Sequence, residues 1–128
     1  YAAKDIAIVG ISSNDAEAHP ADAPGSLKEF VTENGFTFPL LFDETQEVAK
    51  AYTAACTPDF FLYNKERKLV YRGQLDDSRP GNNEPLSGRD LRDAIDCVLK
   101  DEGVPALQKP SVGCNIKWRD GNAPAYFG

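Results

Sequence analysis

The chain has 128 residues with 41% hydrophobic and 27% charged side chains, enough to bury the core of one compact domain. Its formal net charge of −6 argues against a nucleic-acid footprint, which needs a basic face. No apolar run approaches the roughly 18 residues of a membrane-spanning helix, so neither nucleic acid nor membrane is expected as a partner. Three cysteines are too few for a disulfide scaffold and lack the paired spacing of a zinc site. The single histidine, His19, lies between Ala18 and Pro20 in a polar stretch and reads as a solvated loop residue.

Residues Ile6 to Ile11 form a β-branched apolar run, the pattern of a strand buried on both faces in a parallel sheet. Ser12, Ser13, Asn14 and Asp15 follow at its carboxyl end, the end where ligand crevices form in open α/β sheets, although Asn14 and Asp15 also read simply as a turn. Ser26-Leu27-Lys28-Glu29 matches a capping box and Asn34-Gly35 a helix stop, which predicts a helix over about 26–34. Phe38 to Phe42 reads as a short strand. Asp43 then caps a second helix to about Tyr52, with Gln46 at the capping-box position and Val48, Ala49 and Tyr52 as a narrow apolar face.

The most informative stretch comes next. Ala55-Cys56-Thr57-Pro58 leads into the apolar run Asp59 to Tyr63, then the charged turn Asn64-Lys65-Glu66-Arg67-Lys68, then Leu69 to Gly73. This is the pattern of an antiparallel hairpin. Proline has no N–H for a ladder, so Pro58 belongs at the first position of its strand, and Thr57-Pro58 is a candidate cis bond. Asp76 to Leu86 holds too many breakers for regular structure. Ser87 opens a last helix, in which Leu91, Ala94, Ile95, Val98 and Leu99 recur at helical spacing before Gly103. Residues 1–105 are expected to form one domain and 106–128 an extended tail packed on it, with Trp118 folding back over a sheet edge.

These segments, together with Phe36-Thr37-Phe38-Pro39-Leu40-Leu41-Phe42-Asp43-Glu44, Gly73-Gln74-Leu75-Asp76-Asp77-Ser78-Arg79-Pro80-Gly81 and Pro110-Ser111-Val112-Gly113-Cys114-Asn115-Ile116-Lys117-Trp118, resemble the peroxiredoxin-like branch of the thioredoxin superfamily, grouped with alkyl hydroperoxide reductase and thiol-specific antioxidant proteins. The resemblance runs from Asp5 onward. It implies an α/β thioredoxin-like fold, a mixed sheet with flanking helices. It also implies a cis-proline facing a redox cysteine, with the residue before the proline pairing with the backbone of an extended thiol substrate. Proteins of this kind carry the reactive cysteine on a strand-helix unit ahead of the strand at Ile6 to Ile11. This chain starts at that strand and holds no methionine, so a longer parent is expected, with the N-terminal strand-helix unit missing here. A partner chain or the remaining N-terminal segment would then complete the sheet.

The implied function is thiol-disulfide oxidoreductase or peroxiredoxin-like antioxidant activity, acting on protein thiols and disulfides or on a peroxide. A thioredoxin-type protein would donate electrons, and no cofactor is expected. The alternative is a non-catalytic module that binds peptides or partner proteins at the cis-proline groove. The compartment is not legible, the cytoplasm being favoured over the periplasm.

Catalytic candidates are Cys56 and Cys114, and substrate-binding candidates are Thr57 and Pro58. Cys56, two residues before Pro58, reads either as a thiol beside the redox centre or as a small buried residue. Cys114, in a glycine- and proline-rich tail, reads either as a resolving cysteine or as an anchor for the tail. A Cys56–Cys114 bridge would constrain the unfolded chain by about 4 kcal/mol. Cys97 projects roughly 120° from the centre of its helix's apolar stripe and reads as incidental. Asp59 would assist proton transfer if buried, or else stay solvated. Arg72 is expected to pair with Asp76 or Asp77. Asp43, Glu44, Asp76 and Asp77 lack the order of a calcium loop.

Overall fold

The computed structural model describes residues 6–20, 23–35, 38–79, 81–105 and 108–126. Among the described residues there are three helices and six short strands, and the strands pair two by two. The chain divides into two compact units, residues 1–55 with 116–128 and residues 56–115.

In the first unit, β1 (Gly10–Ser12) runs parallel to β2 (Leu40–Phe42), with Ile11 opposite Leu41. The strand expected over Ile6 to Ile11 is thus shorter and begins later. Ile8, Val9 and Ile11 are exposed, because a three-residue partner strand covers neither their faces nor the chain before Gly10. Helix α1 (Pro24–Asn34) starts with Pro24 in its first turn, where a missing N–H costs nothing. Its N-cap is Ala23, and the Ser26 hydroxyl donates to the Pro20 carbonyl (3.0 Å) in place of the expected capping box. Gly35, at φ 63°, ends the helix in the left-handed conformation that a residue without Cβ adopts freely.

Helix α2 (Glu47–Tyr52) is capped from four residues upstream: the Asp43 carboxylate accepts the N–H groups of Val48 (3.3 Å) and Ala49 (3.0 Å) and the Ser13 hydroxyl (2.8 Å). Gln46 is not a capping-box residue. It is the N-cap itself, at φ 66°, and is fully buried at 0% exposure. Its amide nitrogen donates to the carbonyls of Ser13 (2.7 Å) and Lys117 (2.9 Å), and its oxygen accepts from the Arg119 N–H (2.9 Å) and Asn122 Nδ2 (2.8 Å). One side chain therefore ties the end of β1 to the residues after 116. Of the expected apolar face only Ala49 is buried, and Val48 and Tyr52 remain exposed.

In the second unit, β3 (Cys56–Thr57) pairs antiparallel with β6 (Cys114–Asn115), and β4 (Phe60–Tyr63) pairs antiparallel with β5 (Leu69–Gly73). The hairpin falls where the sequence predicts. Asn64 shapes its turn, its side-chain oxygen accepting the N–H groups of Glu66 and Lys68 (both 3.0 Å). Helix α3 (Arg89–Leu99) buries Ala94 and Ile95. Its N-cap is Gly88 at φ 71° rather than Ser87, and the Gly88 N–H donates to the buried Asp76 carboxylate at 2.6 Å. That carboxylate also accepts both the N–H and the hydroxyl of Ser78. Gln74, buried beside it, donates to Asp77 (2.8 Å) and Asp90 (2.7 Å). Tyr71 is buried and donates its hydroxyl to the Gln74 carbonyl; burial, then the Asp90 charge, pushes its phenol up to about 12.

Replacing Gln46 by alanine leaves the Ser13 carbonyl and the Arg119 N–H without their partner and the Lys117 carbonyl with the Asp15 N–H alone. The expected cost is about 3 kcal/mol in urea unfolding; a loss below a few tenths contradicts the hub. The Asp76 carboxyl is held below the ordinary carboxylate value, first by the Ser78 hydroxyl and then by the Gly88 N–H. A depressed folded value means the contribution is complete above the unfolded value near 3.8 and is lost as pH falls through the lower folded one. Asp76→Asn is therefore expected to flatten the acid limb of the stability curve below about pH 4, and an unchanged limb in acid titration would contradict this.

Candidate functional site

The sequence candidates Cys56, Thr57, Pro58 and Cys114 lie on or beside the β3–β6 ladder of the second unit. Pro58 follows β3, where it owes no hydrogen bond to a ladder, and the Thr57-Pro58 peptide is cis. Opposite it runs β6, with Thr57 facing Cys114 and Cys56 facing Asn115. Gly113, just before β6, lies against the Thr57 carbonyl: a Cβ built there would collide with the Thr57 oxygen and stand 3.1 Å from its carbonyl carbon and 3.7 Å from the Pro58 nitrogen. Only glycine allows the two backbones this approach.

The register decides which way the thiols point. Cross-strand partners share a face and neighbours along a strand alternate. Cys114 therefore issues on the Thr57 face, and Cys56 issues with Asn115 on the other. The cysteines sit on adjacent rungs yet on opposite faces, and Cys56, Cys97 and Cys114 are all free thiols. A Cys56–Cys114 bridge, one of the expected pairings, requires this ladder to open.

The two thiols also differ in surroundings. Cys114, Thr57 and Pro58 are exposed, whereas Cys56 is half-buried and donates weakly to the Pro58 carbonyl at 3.7 Å. Burial, then the Asp59 charge, pushes the Cys56 thiol up, and Arg72 opposes them. Asp59 is itself enclosed, its side chain 6% exposed, and is paired with the Arg72 guanidinium at 3.4 Å. That guanidinium also lies over the Phe61 ring, 5.1 Å from its centroid. The expected partners of Arg72, Asp76 and Asp77, are engaged elsewhere: Asp76 binds Ser78 and Gly88, and Asp77 pairs with Lys109 at 2.8 Å. Residues 59 and 72 are drawn together because β4 and β5 pair Phe61 directly with Arg72, which brings the start of β4 within reach of its long side chain.

Cys97 lies on α3, away from this ladder in sequence and element, and His19 is an exposed loop residue. At the carboxyl end of β1, Asn14 accepts the Lys117 N–H (2.8 Å) and Asp15 donates its N–H to the Lys117 carbonyl (2.7 Å), so these residues hold the following chain in place. Among the described residues no cluster of three or more His, Cys, Asp or Glu side chains is placed to hold a metal ion, and no helix is long and apolar enough to cross a membrane. Sequence reading missed Gly113 as a site residue. The signal available was its position directly before Cys114.

A family model described as the AhpC/TSA family matches residues 1–72. Two solved structures are similar over most of the chain. One is a hypothetical protein from Sinorhizobium meliloti 1021, 55% identical with a TM-score of 0.92, covering 94% of this chain and 66% of that one. The other is an uncharacterized conserved protein from Geobacillus kaustophilus, 55% identical with a TM-score of 0.91, covering 93% of this chain and 63% of that one. The chain thus spans just under two thirds of the length of each. No curated protein is close enough to count as a match. The family and these neighbours give the chain a thioredoxin-like α/β fold.

The charges of Asp59 and Arg72 act on the Cys56 thiol in opposite directions, the first raising it and the second lowering it. With Cys97 and Cys114 replaced by serine, alkylation of Cys56 at neutral pH is expected to speed up in Asp59→Asn, which removes the opposing charge, and to slow down in Arg72→Gln. Equal rates in all three proteins would show that the pair does not govern this thiol.

Proposed function

The chain belongs to the AhpC/TSA family, and on that premise we propose that it serves thiol-disulfide exchange or peroxiredoxin-like antioxidant chemistry, with the β3–β6 ladder as its contribution to the site. The observation that carries this reading is the pairing of Cys114 with Thr57 beside the Thr57-Pro58 peptide. An exposed thiol there is open to a second sulfur, and Thr57 and Pro58, also exposed, offer a surface on which an extended substrate rests.

In disulfide exchange, a thiolate attacks one sulfur of the substrate disulfide along the S–S axis. A new S–S bond forms and the other sulfur departs as thiolate, taking the bonding pair and later a proton from water. In peroxide reduction, a thiolate attacks one peroxide oxygen, becomes a sulfenic acid and releases water or an alcohol; a second thiol then condenses with it and expels water. Cys114 suits the second, resolving role in either sequence, with the first thiol supplied by the part of the parent protein that the neighbours' greater length leaves room for. A thioredoxin-type dithiol protein would return the electrons. Cys56, whose thiol burial and the Asp59 charge push up against the opposing Arg72, issues on the opposite face.

The alternative reading, a non-catalytic module binding peptides at the Thr57-Pro58 groove, draws support from the half-buried Cys56, whose thiol burial and the Asp59 charge push up. Insulin reduction and peroxide consumption by the full-length protein separate the readings. Cys114→Ser is expected to lower turnover at least about tenfold while Cys97→Ser leaves it unchanged. Full activity in Cys114→Ser removes Cys114 from the mechanism, and no activity in the wild-type protein with either substrate favours the binding module.

A further inference from the structure

Among the described residues β5 pairs with β4 alone, so its other edge has no strand on it. A bare edge offers its N–H and C=O groups to any chain that can add a strand. This one is covered by the segment that follows α3. The Gln108 side-chain amide accepts the Arg72 N–H at Oε1 (3.0 Å) and donates from Nε2 to the carbonyls of Val70 (2.8 Å) and Pro105 (3.0 Å). One acceptor and one donor, set against backbone groups two residues apart, take the place that a residue of a further strand would fill. The register with β4 passes over Val70, going from Tyr71 to Leu69, and it is the Val70 carbonyl that meets Gln108. Farther along the edge the Gln74 N–H donates to the Lys109 carbonyl (3.0 Å). The fit is close, since a Cβ built on Gly73 would collide with that same carbonyl. Two more bonds hold the segment down: Lys109 Nζ pairs with Asp77 (2.8 Å), and the Ser111 hydroxyl donates to the Gly73 carbonyl (2.6 Å).

We propose that Gln108 and Lys109 form a guard over this edge, and that a second copy of the chain, pairing β5 to β5, is the partner they exclude. The edge suits its own copy. Laid antiparallel about Tyr71, it sets Val70 of each copy opposite Arg72 of the other and Leu69 opposite Gly73, so no like charges meet. The groups that would bond across this pairing are the Val70 carbonyl and the Arg72 N–H, the two that Gln108 now holds. Val70 and Tyr71 are also residue types that pleated strands prefer. A side-chain amide ends the sheet where a strand would extend it: Gln108 fills both bonds and presents no new backbone edge of its own. Self-pairing must therefore break two bonds in each copy before it gains any, and the exchange brings little. Without Gln108 the same gain is uncontested. The guard does not depend on the thiol chemistry, and either can fail without the other.

Sedimentation of the full-length reduced protein measures self-association in the wild type, in Gln108→Ala and in Gln108→Met, the last of which keeps the side chain's length and neither bond. Both variants are expected to form the next larger assembly at least about tenfold more tightly than the wild type. In amide hydrogen exchange, the Arg72 N–H is expected to lose protection in the dilute variants and to regain it as the assembly forms. Folded variants that associate no more tightly than the wild type would overturn the proposal. So would tighter association that leaves the Arg72 amide unprotected, because the contact then lies on another surface. If neither variant folds, the wild type decides: an Arg72 amide that exchanges at least about tenfold more slowly than in an unstructured peptide upholds the guard, and one that exchanges at the peptide's rate removes it.

Discussion

The meeting of the Gly113 backbone with the Thr57 carbonyl is the constraint around which the cysteine-bearing part of the chain is arranged. Because no Cβ intervenes, the segment from Gly113 reaches the residues before Pro58 closely enough to form a ladder, and the ladder's register then fixes everything else nearby. It places Cys114 beside Thr57, turns Cys56 to the other face, and leaves Cys56 near Asp59 and Arg72. Two thiols that a linear reading treats as candidate partners become chemically distinct, one open to solvent and one shielded beside a carboxylate.

The first unit rests on a different kind of interaction. Among its described residues the largest fully buried side chain is an amide, Gln46, while nearby Val48 and Leu41 stay exposed and only the small Ala49 is buried. A buried amide is tolerable only when each of its polar atoms finds a partner, and here both ends of the side chain do. The gain over an apolar contact is directional: the bonds exist only when residues 13, 117, 119 and 122 all lie where they do. Asp43 works similarly, joining Ser13 to the first turn of α2. The order of this unit comes as much from bond geometry as from apolar burial.

Local pattern carried much of the fold. Alternation and turn chemistry located the hairpin around Asn64, the helical spacing of Leu91, Ala94 and Ile95 located α3, and Gly35 marked a helix end, because each signal is written within a few residues. Pro58, expected at the first position of its strand, lies instead between β3 and β4, which opens two residues later at Phe60. What was illegible depends on residues far apart in sequence. The pairing of Thr57 with Cys114 has no local signature, since two exposed rungs leave no periodicity. Gln46 matched a capping box by spacing, yet its partners Lys117, Arg119 and Asn122 lie far along the chain, and a polar residue carries no hydropathy signal of burial. Arg72 was assigned to the nearest acids in sequence, whereas strand pairing brings Asp59 to it. The mixed sheet expected from resemblance is present as three separate pairs, one parallel and two antiparallel.

The chain's one tryptophan supplies an optical consequence of this arrangement. Trp118 follows β6 by three residues, its indole nitrogen is enclosed without a hydrogen-bond partner, and the ring of Tyr126 stands edge-on to it at 6.5 Å. An indole so enclosed emits toward the blue, and water reaching it shifts the emission to the red. The protein thus carries an intrinsic fluorophore whose colour reports, without any label, whether the chain beyond residue 116 is seated.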